Sequence, residues 1–381
     1  MSVIIPVRDE ARRLPGALHS LTGQRGLDGV RIDPTRFEVI VLANNCSDTS
    51  AEVVRRFAVQ HPRLTLHVVE VRFPADVAHV GHARSCLMDE AYRRLRRTAG
   101  DKGVIASTDG DTRVADDWLA ATLSEIDRGA DAVGGRIFNG DDVALPPSLL
   151  AIARRDAVYQ RLRARLEHAL DPDLADPWPR HNQHFGASLA ITVGAYRLVG
   201  GMPPEPFLED EALYLGLRRH DLNVRHSDDV AVVTSSRRRG RVAVGLSWQL
   251  REWQACLEAG HEPAVGDPRA WANVLSWRRR LRAAWQLRSV PATAAEQRLL
   301  VSLADRLGSR PERLARKWRR AESFGSFWQA LEPSVLAKSR HARRTVSMKA
   351  AVHALRELID RAPPAPAFRK GRAGTDRDVS R

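Results

Sequence analysis

Four short apolar runs, each closing on polar residues and each followed by a helical pattern, constrain this chain more than any other feature. SVIIPV (Ser2–Val7) runs into Arg8-Asp9-Glu10, and FEVIVLA (Phe37–Ala43) runs into Asn44-Asn45-Cys46-Ser47-Asp48-Thr49. Leu64–Val71 alternates in polarity, and VIAS (Val104–Ser107) leads into Asp109-Gly110-Asp111. Runs rich in β-branched residues and of this length read as strands, the continuous ones as strands buried on both faces. Helical spacing follows each, through about Leu21, over Ser50–Gln60 with Ser47 or Asp48 as its cap, over Gly81–Arg97 and over Asp116–Arg128. Strands alternating with helices predict an α/β fold with a mostly parallel sheet, and polar residues gathered after each strand place a ligand site at the sheet's carboxyl edge.

The second part of the chain reads differently. Ala132–Phe138 is strand-like, with Gly134-Gly135 permitting close approach of a ligand or of another backbone. Ala144–Leu170 is a long helical stretch, Asp171–Pro179 a loop with three prolines placed to serve as a lid, and His184–Val193 a strand. A short helix over Gly194–Val199, a helix opening at Phe207-Leu208-Glu209-Asp210-Glu211 and a strand over Val224–Thr234 complete this unit. From Val242 to Leu358 only helical segments are expected, broken near Glu262–Pro268, Pro291, Gly308–Pro311 and Pro333. The chain thus divides into 1–241, with halves at about 1–112 and 113–241, a helical region 242–361, and a disordered tail 362–381.

Net charge narrows the function classes less than its sign suggests. The formal charge is +14, but the excess is mostly arginine beyond residue 235, a bias that fits composition as well as a polyanion partner. Nucleic acid is not the expected partner. The basic helical region would suit a phosphorylated acceptor or a membrane surface. No apolar run approaches the roughly 20 residues of a membrane helix, and Cys46, Cys86 and Cys256 lack any paired spacing. A soluble, cytoplasmic protein with free thiols is expected, peripheral to a membrane if it meets one.

Asp109-Gly110-Asp111 alone is an ordinary turn sequence. At the end of a buried strand it also presents two hard oxygen ligands where a cation and a diphosphate can meet. Six motifs in order make residues 1–241 resemble a family 2 glycosyltransferase of the GT-A type. They are Ile5-Pro6-Val7-Arg8-Asp9-Glu10, Asn44–Thr49, Gly81-His82-Ala83-Arg84, Asp109-Gly110-Asp111, Gly186-Ala187-Ser188 and Glu209-Asp210. The resemblance implies a Rossmann-like, mixed sheet flanked by helices, and transfer of a sugar from a nucleotide-diphosphate sugar to an acceptor hydroxyl with inversion. It implies nucleotide contacts from Pro6, Arg8, Glu10, Asn44, Asn45, Asp48, Gly81, Arg84, Asp109 and Gly110. Mn2+ or Mg2+ would lie on Asp111 with Asp109, and Asp210 would be the general base, with Glu209 beside it.

Two positions depart from that pattern. Asn44-Asn45 stand where many members carry aspartates that read the base, which leaves the nucleobase open. Thr234-Ser235-Ser236 stand where a histidine often completes the metal site, and His226 comes too early to replace it. The acceptor is open among a small metabolite, a glycan and a lipid-linked compound. A nucleotide-sugar-binding protein without catalysis is one alternative. A sugar nucleotidyltransferase is another, against which stands the lack of glycine after the first strand. The run Arg237–Arg241 fits either a basic loop over the diphosphate or a solvated charge run. Seven tryptophans between Trp248 and Trp328 are expected in the helical core, and His181 and His184 fit acceptor contacts or local hydrogen bonds equally.

Overall fold

A computed structural model describes residues 1–140, 144–237, 244–288 and 292–363. Its centre is an eight-stranded mixed sheet: β1 (Ser2–Val7), β2 (Glu38–Asn44), β3 (Thr65–Val71), β4 (Val104–Ser107), β5 (Thr112–Val114), β6 (Ala132–Asn139), β7 (Leu189–Thr192) and β8 (Val224–Thr234). The order is β3-β2-β1-β4-β7-β6-β8-β5. β1 pairs in parallel with β2 and β4, and β7 runs antiparallel between β4 and β6. The chain builds outward from β1 to β3 and then returns to lay β4 on the other side of β1. Their carboxyl ends therefore flank a switch point, where loops diverge and leave a crevice.

Flanking helices are α1 (Leu14–Thr22), α2 (Ser50–Gln60), α3 (Val80–Thr98), α4 (Trp118–Asp127), α5 (Pro147–Leu170), α6 (Val193–Val199) and α7 (Glu209–Arg219). The period of two in β1 decides which helix meets which face. Val3, Ile5 and Val7 join Leu14 and Leu18 of α1, Val54 of α2 and Trp118 of α4 in one core. Ile4 points the other way, into Leu87 and Met88 of α3 and Leu213 and Leu217 of α7. Each such fully buried side chain contributes about 1.5–3 kcal/mol, so every residue of β1 is committed to a face. β3, at the sheet edge, has no fully buried residue, in keeping with its alternating sequence.

The C-terminal helices are α8 (Leu246–Glu258), α9 (Pro268–Gln286), α10 (Ala294–Leu307), α11 (Pro311–Arg320), α12 (Phe324–Gln329), α13 (Glu332–Ala337) and α14 (Met348–Asp360). Thr293 and Glu296 form a reciprocal capping box at the start of α10, and Gly308 ends it at φ 63° before Pro311 opens α11. Two short strands, β9 (Ala264–Gly266) and β10 (Thr345–Ser347), pair antiparallel where only helix was expected, and β5 forms where the sequence reading assigned no element. Three-residue strands owe their state to a distant partner and leave no periodicity to read. Trp253, Trp277, Trp318 and Trp328 are buried and Trp248 is exposed. Among the described residues no helix is long and apolar enough to cross a membrane. Pro291 and residues 364–381 of the expected tail lie outside the described residues.

Leu149, Ile152, Tyr159 and Leu166 put a stripe of α5 against α8, α9 and α14, so this helix packs with the C-terminal region. Two sequence expectations change. The stretch from His184 is strand only over Leu189–Thr192; Gly186–Ser188 is a 3-10 turn. The expected lid is pinned by three carboxylates: Asp171 pairs with Arg278 and Arg282, Asp173 with Arg218, and Asp176 with Arg180, Arg225 and His226. Lifting it would strand several buried charges, so it is a wall and not a flap.

Candidate functional site

The crevice beyond β1 and β4 opens into a cavity of about 1560 Å³ that continues to the C-terminal helices. Ten of the residues singled out in the sequence line it: Pro6, Arg8, Glu10, Asn44, Arg84, Asp109, Gly110, Asp111, Glu209 and Asp210. Three do not. The Asn45 side chain closes a reciprocal pair with the Phe73 backbone, at 2.9 Å each way. Asp48 accepts from Ala11 N at 3.0 Å and from Ser50 N at 2.9 Å, clasping the first two loops together; the helix cap position itself is Thr49. At Gly81 a Cβ would lie 1.7 Å from the carbonyl oxygen of Glu205, so this glycine answers to packing. Asn44 is the opposite case: it is buried and its Oδ1 has no hydrogen-bond partner.

Arg84, from the first turn of α3, is the hub. Its guanidinium is buried, donates to Asp109 at 2.5 Å and pairs with Glu209 of α7. Burial opposes its charge, but Glu209, Asp109 and Asp210 overcome that and raise its pKa. A Cβ on Gly186 would stand 2.3 Å from the centre of that guanidinium, so glycine there is what lets the arginine lie flat on the turn. Gly134 and Gly135 likewise meet protein, the Gln183 carbonyl and Ser188 with Val230, so close approach of another segment explains the pair.

Asp109 is about one-third exposed, at 32%, whereas the Asp111 side chain is at 10%. Arg237 spans Asp111 at 3.1 Å and Glu10 at 2.5 Å. Burial pushes Asp111 up to about 6; Arg237 works against the rise, and Asp109 and Glu10 add to it. Thr234, in the position where a histidine was looked for, donates to Asp111 at 3.5 Å. Residues 238–241 of the basic run lie outside the described residues.

On the far side, Leu208 adopts φ 59°, a conformation rare for a bulky side chain, and turns the chain sharply into α7. Asp210 accepts from Gly186 N at 2.8 Å and from Glu211 N at 2.9 Å. Burial raises the pKa of Glu209, against the pull of Arg84. Behind them runs a chain of contacts that no spacing in the sequence announced: Glu211 to His184 at 2.6 Å, His184 to His226 at 3.3 Å, and His226 to Asp176 at 2.7 Å. His184 also stacks on Tyr214, with ring centroids 3.8 Å apart. Arg237, one of the basic run left between two readings, and His226 thus line the cavity, and Asp176 stands behind His226.

Burial, then the neighbouring His226, lowers His181 to about 2, and His226 is lowered by burial as well. An unfolded histidine takes up its proton near 6.5, so below that pH the unfolded state binds protons that the folded state refuses. His181 should accordingly leave stability flat above pH 7 and take about 1.4 kcal/mol per pH unit from it between pH 6 and 4. Thermal melts across that range check this: His181→Gln should lose one proton's worth of slope, and parallel curves would contradict it.

The glycosyl transferase family 2 model matches residues 2–177. A curated relative, glycosyltransferase AglE of Haloferax volcanii, is 27% identical over 138 residues, which cover 36% of this chain and 39% of that one. Among solved structures, the mannosyltransferase PcManGT from Pyrobaculum calidifontis, in complex with GDP-Man and Mn2+, aligns over 88% of this chain and 85% of its own at 21% identity and a TM-score of 0.46. A TarS structure from S. aureus aligns over 94% and 90% at 15% identity and a TM-score of 0.41. The match over residues 2–177 makes the N-terminal part of this chain similar to glycosyl transferase family 2.

Proposed function

We propose that this chain is a metal-dependent glycosyltransferase that moves a sugar from a nucleotide-diphosphate donor to an acceptor hydroxyl with inversion. One observation carries the reading: Asp109 and Asp111 on one side of the cavity and Asp210 on the other, from segments about a hundred residues apart, face a shared space. Carboxylates divided in this way serve two jobs, charge neutralisation at the leaving group and proton removal at the nucleophile.

The donor set fits a hard divalent cation. Asp111 is an enclosed carboxylate that already draws a cation, Arg237, and Asp109 adds oxygen beside it; such ions are commonly held by one or two carboxylates with the substrate's phosphates completing the shell. Bound there, Mn2+ or Mg2+ would supply charge stabilisation to the departing diphosphate. Arg84 holds Asp109 in place and brings a buried positive charge to the same region. Asn44, with its free amide oxygen, is suited to accept from the nucleobase, alongside Pro6, Arg8, Glu10 and Gly110. Asp210, fixed by two backbone N–H groups, takes the acceptor proton as the hydroxyl attacks. Glu209 orients Arg84 and does not compete for that role.

The cavity exceeds the roughly 300–1,000 Å³ of a single small-molecule site, which leaves room for an acceptor. Phe138, Phe185, Phe207 and Trp248, exposed aromatic side chains, line it too, and suit an acceptor that presents the flat face of a sugar ring. We place the division between the transferase unit and the helical region near residue 241, with α5 contributing to both. Purified protein with Mn2+ and a panel of uridine, guanosine, adenosine and thymidine diphosphate sugars should release nucleoside diphosphate from one donor, on the order of a hundredfold faster than with chelator. If no donor raises the melting temperature and none is turned over, the proposal fails.

A further inference from the structure

Glu10 and Asp111 come from the ends of β1 and β4, and Arg237 follows β8. The two carboxylate side chains are almost entirely enclosed, at 6% and 10% exposure, and the guanidinium forks across both. Charges so enclosed need a counter-ion, since the cost of leaving one unpaired exceeds that of ordering an arginine. We infer that Arg237 is the resident counter-cation of the metal carboxylate, which an incoming divalent ion must displace. The inference rests on Asp111 being a metal ligand.

A cation bound at Asp111 would stand beside Arg237 in a site of restricted solvent, where two positive groups repel. The guanidinium must then give up Asp111. Metal alone therefore binds weakly, because it replaces an existing ion pair. A nucleoside diphosphate changes the balance, for its oxygens offer a displaced guanidinium a new bidentate partner. Metal and nucleotide become coupled: each binds better in the presence of the other, in part through Arg237.

The test is Mn2+ binding without turnover, read from the electron paramagnetic resonance signal of free Mn2+ in mildly alkaline buffer. The variants are Arg237→Ala, Arg237→Lys and Asp111→Asn, each confirmed folded by a cooperative melt above the assay temperature. Without nucleotide, Arg237→Ala should bind Mn2+ about tenfold more tightly than the wild type, the scale of one close charge pair. Arg237→Lys, which cannot fork across both carboxylates, should fall between them. Added nucleoside diphosphate should tighten Mn2+ more in the wild type than in Arg237→Ala. If Arg237→Ala binds Mn2+ no better while Asp111→Asn abolishes binding, the counter-cation role is wrong and the metal site stands. If Asp111→Asn binds Mn2+ as the wild type does, the metal reading falls and this inference with it.

Discussion

Asp210→Asn should lower kcat by about a thousandfold, within the range that a positioned general base contributes, while leaving donor affinity within a factor of about two. The substitution keeps the shape of the side chain and removes its capacity to take a proton. It also turns an amide toward one of the two backbone donors that Asp210 satisfies, Gly186 N and Glu211 N, so a small loss of melting temperature accompanies it. Donor affinity is the readout that separates the roles: Arg84, Asp109 and Asp111 are untouched, and a nucleoside diphosphate should shift the melt of the variant as it does that of the wild type. A variant with near-normal kcat would remove Asp210 from proton transfer. One that binds no donor would make it a structural residue.

Asp111→Asn should cost about a hundred- to a thousandfold in kcat, the worth of one preorganised electrostatic contact to a developing charge, and should not lower the melting temperature. The second half follows from the environment. Asp111 is enclosed, and burial with Asp109 and Glu10 nearby raises its pKa to about 6. A carboxyl whose folded pKa lies above its unfolded value is a net cost when ionised at neutral pH, so the neutral amide relieves that cost. Arg237 keeps Glu10 as a partner after the change. Activity lost with stability retained or gained is the mark of a charge held for function. A variant that loses both together would assign Asp111 a structural part instead.

The contrast between Asp111 and Asp48 shows how far the two kinds of information reach. Both are aspartates in polar loops after parallel strands, and sequence reading gave both a ligand role. The fold turns Asp111 into a cavity and spends both oxygens of Asp48 on Ala11 and Ser50. Asn44 and Asn45 are separated in the same way, one buried with a free oxygen and the other consumed by Phe73.

What the sequence determined by itself was the α/β alternation, the two-sided burial of β1, and the ordered motifs whose residues line a cavity at the carboxyl edge of the sheet. All of these are local properties: apolar period, strand length, caps and the polar residues that follow each strand. Only the tertiary structure decided that Arg84 bridges Asp109 and Glu209, that Arg237 closes on Glu10 across more than two hundred residues, and that a chain of buried histidines ties Glu211 to Asp176. It also packed α5 against the C-terminal helices and anchored the proline-rich segment. Those outcomes depend on which charges are buried together, and the pairing of buried charges is set by packing between segments that have no fixed separation along the chain.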